Sequence, residues 1–214
     1  MLAIGAASAA AILLAWYAYF ARYNRGRGLQ ALAWIQEAFA SHGQLLAVRW
    51  FGPAEFQVRL RFSPALFREA YVLVRLHPRH IPILWMVARI TRRPETLTFE
   101  ANLDLPPMFN LEVHNHRWCG RTRRRPPDRQ TLTLEHVGPF VLTSRTEWQR
   151  EITSMMTALL ASRDCDFLSV AFHRSSPHLN ATVVLQSISP ESQRSSDICE
   201  VLRELASCAS ASKF

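Results

Sequence analysis

The sequence predicts one membrane-spanning helix followed by a single α+β domain, in which helices cover one face of a mainly antiparallel sheet. An uncharged apolar run extends from Leu2 to Ala21, and beyond it short runs of alternating polar and apolar residues are separated by segments with helical spacing. Strand pairs interleaved with helices are typical of the α+β class. The predicted organisation is an anchor (1–22), a juxtamembrane amphipathic helix (23–43), a cytosolic domain (44–209) and a short tail (210–214).

The apolar run has the length of a transmembrane helix. About 20 residues at a rise of 1.5 Å per residue cross a hydrocarbon core of about 30 Å. A cleaved signal peptide would carry a basic segment before its apolar core and a small-residue cleavage site after it. Only Met1 precedes this run, and aromatic residues stand at its end. We therefore expect an anchor that is not cleaved.

The end of the run carries the residue types that lie at a membrane surface. Trp and Tyr side chains collect where the apolar and polar regions of a bilayer meet, and arginines favour the cytosolic side. The predicted membrane-interface residues are Trp16, Tyr17, Tyr19, Phe20, Arg22, Arg25 and Arg27. Because the arginines follow the run, we expect the remaining chain in the cytosol, with membrane lipids as its first partner.

The charge and the cysteines agree with this location. The net charge is +8, which favours an anionic neighbour such as a lipid surface or RNA and does not determine the fold. The cysteines form no C-x-x-C pair, so free thiols in a reducing compartment are the simplest interpretation.

The elements of the domain follow from hydrophobic periodicity and turn residues. Gly26 and Gly28 are expected to interrupt the helix after the membrane, before an amphipathic helix that ends at Gly43. The predicted strands are 45–51, 55–62, 70–77, 96–103, 109–115, two short strands within 132–142, 167–173 and 181–188. We expect 45–51 to pair with 55–62, and 96–103 with 109–115, as hairpins. The later predicted helices are 146–161 and 196–208.

The helix predicted for Pro82 to Arg92 is apolar on nearly all sides and too short to span a bilayer. Burial nearly all round is the expected explanation. The alternative is an apolar face that is offered to a partner, with Trp85 and Met86 as the candidate partner-binding residues.

An arginine cluster is the strongest candidate site for phosphate or RNA. Its members, in the stretch RWCGRTRRRPPDR, are Arg117, Arg121, Arg123, Arg124, Arg125 and Arg129. Such a segment could bind phosphate groups of RNA or lipid with an affinity that falls with salt, and a solvated basic loop is the simpler alternative.

The sequence offers little for catalysis. His114 and His116 share a strand face, but no nearby cysteine or carboxylate pair completes a zinc site. His77 and His80 could complete it only if the fold brings them close to the other two histidines. Common nucleotide-binding, hydrolase and metalloprotease motifs are absent from the sequence. We therefore expect neither an enzyme nor a cofactor, metal or small-molecule substrate.

The order of segments resembles the calumin family, ER membrane proteins with a coiled-coil domain that belong to the PAT intramembrane chaperone complex. The resemblance lies in NRGRGLQALAWIQEAF after the anchor, YVLVRL followed by ILWMVARITRRPETLTFEANL, LLASRDCDFLSVAFHRSS, NATVVLQ and the closing DICEVLRELASCASASKF. It implies a single-span ER protein with a cytosolic α+β domain beside the ribosome and translocon. The family's acidic luminal region and basic coiled-coil tail have no counterpart in this sequence.

These observations lead to a working hypothesis and two rivals. The first is a non-enzymatic scaffold or chaperone subunit that assists insertion of multi-spanning proteins at the ER translocon, with a small membrane-protein partner. The second is an accessory structural subunit of an organellar complex, for example in the mitochondrial inner membrane. The third is a lipid-handling module with a groove lined by Trp85 and Met86.

The arginine cluster can be tested by charge reversal. Replacing Arg121, Arg123, Arg124 and Arg125 with Glu should weaken co-sedimentation with membranes or ribosomes, most strongly at low salt, because each arginine removed is a lost phosphate contact. Unchanged co-sedimentation of a folded variant would reject this role.

Overall fold

In the computed structural model, a long N-terminal helix leads into a nine-stranded antiparallel sheet. The structure describes residues 2–41, 43–62, 67–107, 110–115, 133–137, 140–144, 167–185 and 195–210. The helices are α1 (Leu2–Phe39), α2 (Pro82–Ile90) and α3 (Ser195–Ser210). The strands are β1 (Gly43–Gly52), β2 (Glu55–Phe62), β3 (Phe67–Arg75), β4 (Thr96–Leu103), β5 (Leu111–Asn115), β6 (Thr133–Val137), β7 (Phe140–Ser144), β8 (Phe167–Phe172) and β9 (Leu179–Val184). The predicted α+β class with an apolar N-terminal helix is confirmed.

Helix α1 is continuous from Leu2 to Phe39, so the predicted interruption at Gly26 and Gly28 is wrong. Glycine in a helix interior costs about 1 kcal/mol relative to alanine, which weakens a helix without ending one that is held by its neighbours. Gly28 is buried, and a Cβ at this position would lie only 2.6 Å from Trp50 Cη2. A larger residue here would have to displace the Trp50 ring, so the close packing of α1 on the sheet favours glycine. Helix α1 is a single rod about 57 Å long.

The strands have the spatial order β1-β2-β3-β4-β9-β8-β5-β7-β6, and each neighbouring pair is antiparallel. The predicted β1–β2 hairpin and the two short strands within 132–142 are confirmed. The hairpin predicted from β4 and β5 is wrong, because β9 and β8 lie between these strands. Both strands are present, but each has a partner that is distant in the sequence.

One face of the sheet forms the core under α1 and α3. A row of buried residues crosses successive strands and consists of Val58, Val72, Phe99, Ala181, Val170 and Val113. Ile35 and Phe39 of α1, together with Leu202 and Leu205 of α3, belong to the same cluster. Phe39 stacks on Phe99 with ring centroids 6.1 Å apart. The C-terminal part of α1 is therefore a core element of the domain.

Helix α2 is exposed, so the predicted burial nearly all round is wrong. Its exposed apolar residues are Ile83, Leu84, Met86, Val87 and Ile90. Ala88 is the one buried residue of this helix, and Trp85 is half-buried. These two side chains lie three residues apart and mark the side that faces the protein. The opposite side presents an apolar surface outward.

Several sequence predictions lie outside the described residues. They are the helix at 146–161, His116, the loop that carries the arginine cluster from Arg117 to Arg129, and the tail after residue 210.

The two mid-helix glycines provide a matched test of the packing of α1. A Cβ at Gly26 would meet nothing within 4 Å, so Gly26→Ala should stabilise the fold by about 0.5–1 kcal/mol through helix propensity. Gly28→Ala should destabilise it by about 1–2 kcal/mol, because the added methyl group meets the Trp50 ring. Thermal unfolding in detergent measures both, and equal effects of the two substitutions would contradict the packing described.

Candidate membrane-interface site

Helix α1 has a part that contacts the domain and a part that does not. Buried or half-buried side chains recur every three or four residues, at Trp16, Phe20, Asn24, Gly28, Ala31, Ile35 and Ala38. Residues 3–15, before Trp16, are exposed on every side of the helix. Contact between α1 and the domain therefore begins at Trp16.

The apolar N-terminal part of α1, which includes the first residues that contact the domain, has the properties of a membrane span. It is long and apolar enough to cross a bilayer, with a mean hydropathy of 1.6 over its most apolar 18 residues. None of these residues is buried within the protein. A core helix of similar composition would be covered by other elements, whereas an apolar surface of this extent in water is unfavourable. Within the residues that the structure describes, there is thus one candidate transmembrane helix.

The loop that follows β3 and the start of α2 lie beside the end of this span. Trp16 Nε1 donates a hydrogen bond to the backbone oxygen of Arg79 over 3.0 Å. The rings of Trp16 and Trp85 are 6.2 Å apart, and those of Tyr17 and His80 are 5.6 Å apart. Burial lowers the pKa of His80, which favours its neutral form next to the apolar run.

A buried carboxylate joins α1 to this loop. Glu95 is 1% exposed, and its Oε1 lies 2.9 Å from Arg79 Nη1 and 3.0 Å from His77 Nδ1. The backbone N–H of His77 donates to the same oxygen over 3.2 Å. The other oxygen, Oε2, lies 3.6 Å from Arg27 Nη2 of α1. One carboxylate thus connects the long helix, the loop after β3 and the segment that leads into β4.

Asn24 adds a second connection between α1 and the loop. Its side chain is fully buried, and Nδ2 donates to the backbone oxygen of His77 over 2.9 Å. Its Oδ1 accepts a hydrogen bond from Arg79 Nη1 over 3.3 Å. A buried amide without these partners would destabilise the fold, so its presence specifies the rotation of α1 against the loop.

The electrostatics of this cluster favour the ionised carboxylate. Burial by itself raises the pKa of Glu95, but the hydrogen bonds from the His77 side chain and backbone, and the charge of Arg79, outweigh that effect and lower the pKa to about 2. Glu95 is therefore charged throughout the physiological pH range.

The predicted membrane-interface residues divide into two groups. Tyr17, Tyr19 and Arg22 are exposed, whereas Trp16 and Phe20 face the domain and are half-buried. Arg25 and Arg27 have partners within the protein. The Arg25 guanidinium lies 3.9 Å from the centroid of the Trp50 ring, and Arg27 reaches Glu95.

The other predicted site residues do not converge. Trp85 contacts Trp16, whereas Met86 is exposed on the outer side of α2, so the two do not line a common groove. His114 lies on β5 beside Glu112, with Nε2 and Oε2 3.5 Å apart. His77 and His80 follow β3, which three strands separate from β5. Within the part of the chain that the structure describes, no group of three or more metal-ligating side chains occurs.

The polar cluster around the buried residues Glu95 and Asn24 was missed by the sequence analysis. Its members are Asn24, Arg27, His77, Arg79 and Glu95. A signal was available, because Glu95 is the one acidic residue between Glu69 and Glu100 in a segment rich in arginine. A lone carboxylate among arginines indicates an ion pair, but the sequence does not show that α1 supplies one of the partners.

Comparison with family models and with curated proteins gives no match for this chain. The resemblance to the calumin family therefore rests on the order and pattern of segments and stays a prediction.

Removing the charge of Glu95 tests the cluster. Glu95→Gln should destabilise the domain by about 3 kcal/mol at neutral pH, because the ordinary pKa of 4.5 falls to about 2 on folding. Since the folded pKa is the lower one, this stabilisation is present above pH 4.5 and is lost as the pH falls toward 2. Unfolding measured by urea at several pH values should show that loss in the wild type.

The Glu95→Gln variant should lack the loss of stability that the wild type shows as the pH falls from 4.5 toward 2. Glu55→Gln is a suitable control, because Glu55 forms an exposed pair with Arg75 that should contribute less than about 1 kcal/mol. Equal effects of the two substitutions would contradict a central role for Glu95.

Proposed function

We propose that this protein is a membrane-anchored, non-enzymatic scaffold that assists the insertion of multi-spanning proteins at the ER translocon. The observation that carries the proposal is the continuity of α1. One unbroken helix begins in an exposed apolar segment and ends in the core of the domain at Phe39. A domain that only needed tethering would be served by a flexible linker, whereas this connection holds the domain at a fixed distance from the bilayer.

The cluster around Glu95 strengthens that connection. It holds the loop after β3 against α1 just beyond the apolar segment. Asn24 and Arg27 are the contact residues on the helix, and His77 and Arg79 are those on the loop. Buried hydrogen-bonded groups of this kind favour one orientation over others. A defined orientation is what a subunit needs when it positions other membrane components.

The span offers a surface for a small membrane-protein partner. Residues 3–15 are not buried by any part of the chain that the structure describes, and Ile12, Leu13 and Leu14 are exposed. Nearer the domain, a shallow hollow follows the exposed face of α1 and is lined by Tyr19, Arg22, Tyr23, Gly26, Arg27 and Gln30. A second helix packed along the span would reach this hollow at the level of the membrane surface.

The sidedness and the organelle rest on the sequence. Arg22, Arg25 and Arg27 follow the apolar run, which supports a cytosolic domain. The ER and the translocon come from the resemblance to the calumin family, and the arginine cluster that would face RNA or lipid lies outside the described residues.

Native pull-down from digitonin-solubilised membranes tests this function. The tagged protein should recover translocon components and a small membrane protein, and it should fractionate with ER markers. Recovery of respiratory or other organellar subunits, with mitochondrial fractionation, would instead support the accessory-subunit hypothesis. Recovery of no reproducible partner would reject the scaffold.

A matched variant separates anchoring from recognition. Residues 3–15 can be replaced by a Leu/Ala segment of equal length without touching the domain, because contact with the domain begins at Trp16. This variant should remain in the membrane fraction after carbonate extraction and should lose the small partner. Undiminished recovery would mean that the partner does not bind the span.

A further inference from the structure

Helix α2 places an apolar surface directly beside the span. Ile83 is 69% exposed and Ile90 is 73% exposed, and Leu84, Met86 and Val87 complete the outward surface. Most large apolar side chains of a small domain are buried, so a nine-residue helix with five exposed ones calls for an apolar environment outside the protein. Nothing in the described residues covers this side of the helix.

The contacts with α1 give the depth of α2 relative to the membrane. Trp85 packs against Trp16, and the loop before α2 is hydrogen-bonded to Trp16 through the Arg79 backbone. Trp16 precedes Arg22 by about 9 Å along the helix axis. Helices that lie in a membrane interface bury their apolar side by about 5–10 Å. With Arg22 at the membrane surface, the start of α2, which packs on Trp16, lies about 9 Å below that surface, within the depth range of an interfacial helix.

The charges around α2 match a phospholipid surface. Arg89, Arg92 and Arg93 are exposed at its C-terminal end, and Arg89 lies over the Trp85 ring at 5.8 Å. The sequence has no acidic residue between Glu69 and Glu95. Apolar side chains on one helix next to exposed arginines are typical of segments that bind anionic lipid.

We propose that α2 is a second membrane-contacting element, with its outward apolar side chains in the interface of the bilayer and Arg89, Arg92 and Arg93 on lipid phosphates. Lipid is the occupant because this surface continues the exposed surface of the span, which is itself expected in lipid. The domain is then held on the bilayer at two positions. This inference rests on the proposed anchoring of α1, and it needs neither the ER assignment nor a translocon partner.

The rigid connection at Glu95 makes the second contact effective. The loop from His77 to Ile81 leads directly into α2, and Glu95 and Asn24 hold that loop on α1. Membrane contact by α2 therefore fixes how the whole sheet is oriented toward the bilayer.

Environment-sensitive probes on single cysteines test the inference in the full chain. The parent protein carries Cys119→Ser, Cys165→Ser and Cys208→Ser and keeps Cys199, which is buried and whose pKa burial raises to about 11, so that it should not label. The protein is reconstituted in phosphatidylcholine vesicles with about one fifth phosphatidylserine.

Leu84→Cys and Leu46→Cys form a matched pair, because both leucines are 49% exposed. Leu46 lies on β1 between Gly43 and Trp50. The Gly43 end of β1 lies near Phe39 of α1, and Trp50 lies against Gly28. Leu46 is therefore more than about 10 Å beyond Ala21 along the axis of α1. Ile12→Cys reports whether the span itself is in lipid.

A nitrobenzoxadiazole probe at position 84 should show blue-shifted emission and quenching by doxyl groups near the lipid headgroup. Its quenching by aqueous iodide should be at least about twofold weaker than that of the probe at position 46. The role of α2 would be overturned if iodide quenched the probe at position 84 as strongly as the probe at position 46. The anchor would be intact in that case if doxyl groups in the lipid quenched the probe at position 12.

Protection of the probe at position 84 from both quenchers would mean that protein, such as a second copy of the chain, covers α2, and this would also overturn the proposal. An absence of lipid quenching at position 12 would show that α1 is not inserted, and the proposed function would fail together with the inference.

Discussion

The structure depends on one buried carboxylate. Glu95 is held by His77 and Arg79 from the loop after β3, and it reaches Arg27 on the long helix. An unpaired charge in this position would be strongly unfavourable, so the helix and the loop must keep their relative placement for the fold to be stable. Asn24 applies the same constraint through neutral hydrogen bonds. Asn24 and Arg27, the helix residues that make these contacts, lie just beyond the apolar run. A movement of the domain against the span would begin at this point.

From this constraint follows the way in which the domain is joined to the candidate span. Helix α1 is at once the candidate span and a core helix, since Ile35 and Phe39 pack in the same cluster as the central strands. The glycine at position 28 permits that dual role, because its missing side chain lets the helix approach Trp50 closely. The exposed apolar side of α2 then lies at the same level as the end of the span. Among the described residues, most of the exposed large hydrophobic side chains thus lie on the first part of α1 and on or next to α2, close to arginines.

Much of the fold was predictable from local patterns. The apolar run, the β1–β2 hairpin, the helix that begins at Pro82 and the alternation along β2 and β4 follow from periodicities of 2.0 and 3.6 residues, which depend only on neighbouring residues. The predicted break at Gly26 and Gly28 was wrong because helix propensity is a weak preference that packing overrides. Of the candidate site, the sequence indicated the aromatic and arginine residues at the end of the span and left out the polar cluster.

Within the described residues, the sequence by itself determined where most helices and strands lie and that the first helix suits a bilayer, because these properties are set by composition and spacing along the chain. Only the tertiary structure decided that β9 and β8 separate β4 from β5, since strand partners are chosen by long-range pairing. It also decided that α2 is exposed and not buried. An apolar helix has the same sequence whether it is buried in a core or exposed at the surface of the domain, and only the exposed side chains of the folded protein distinguish the two.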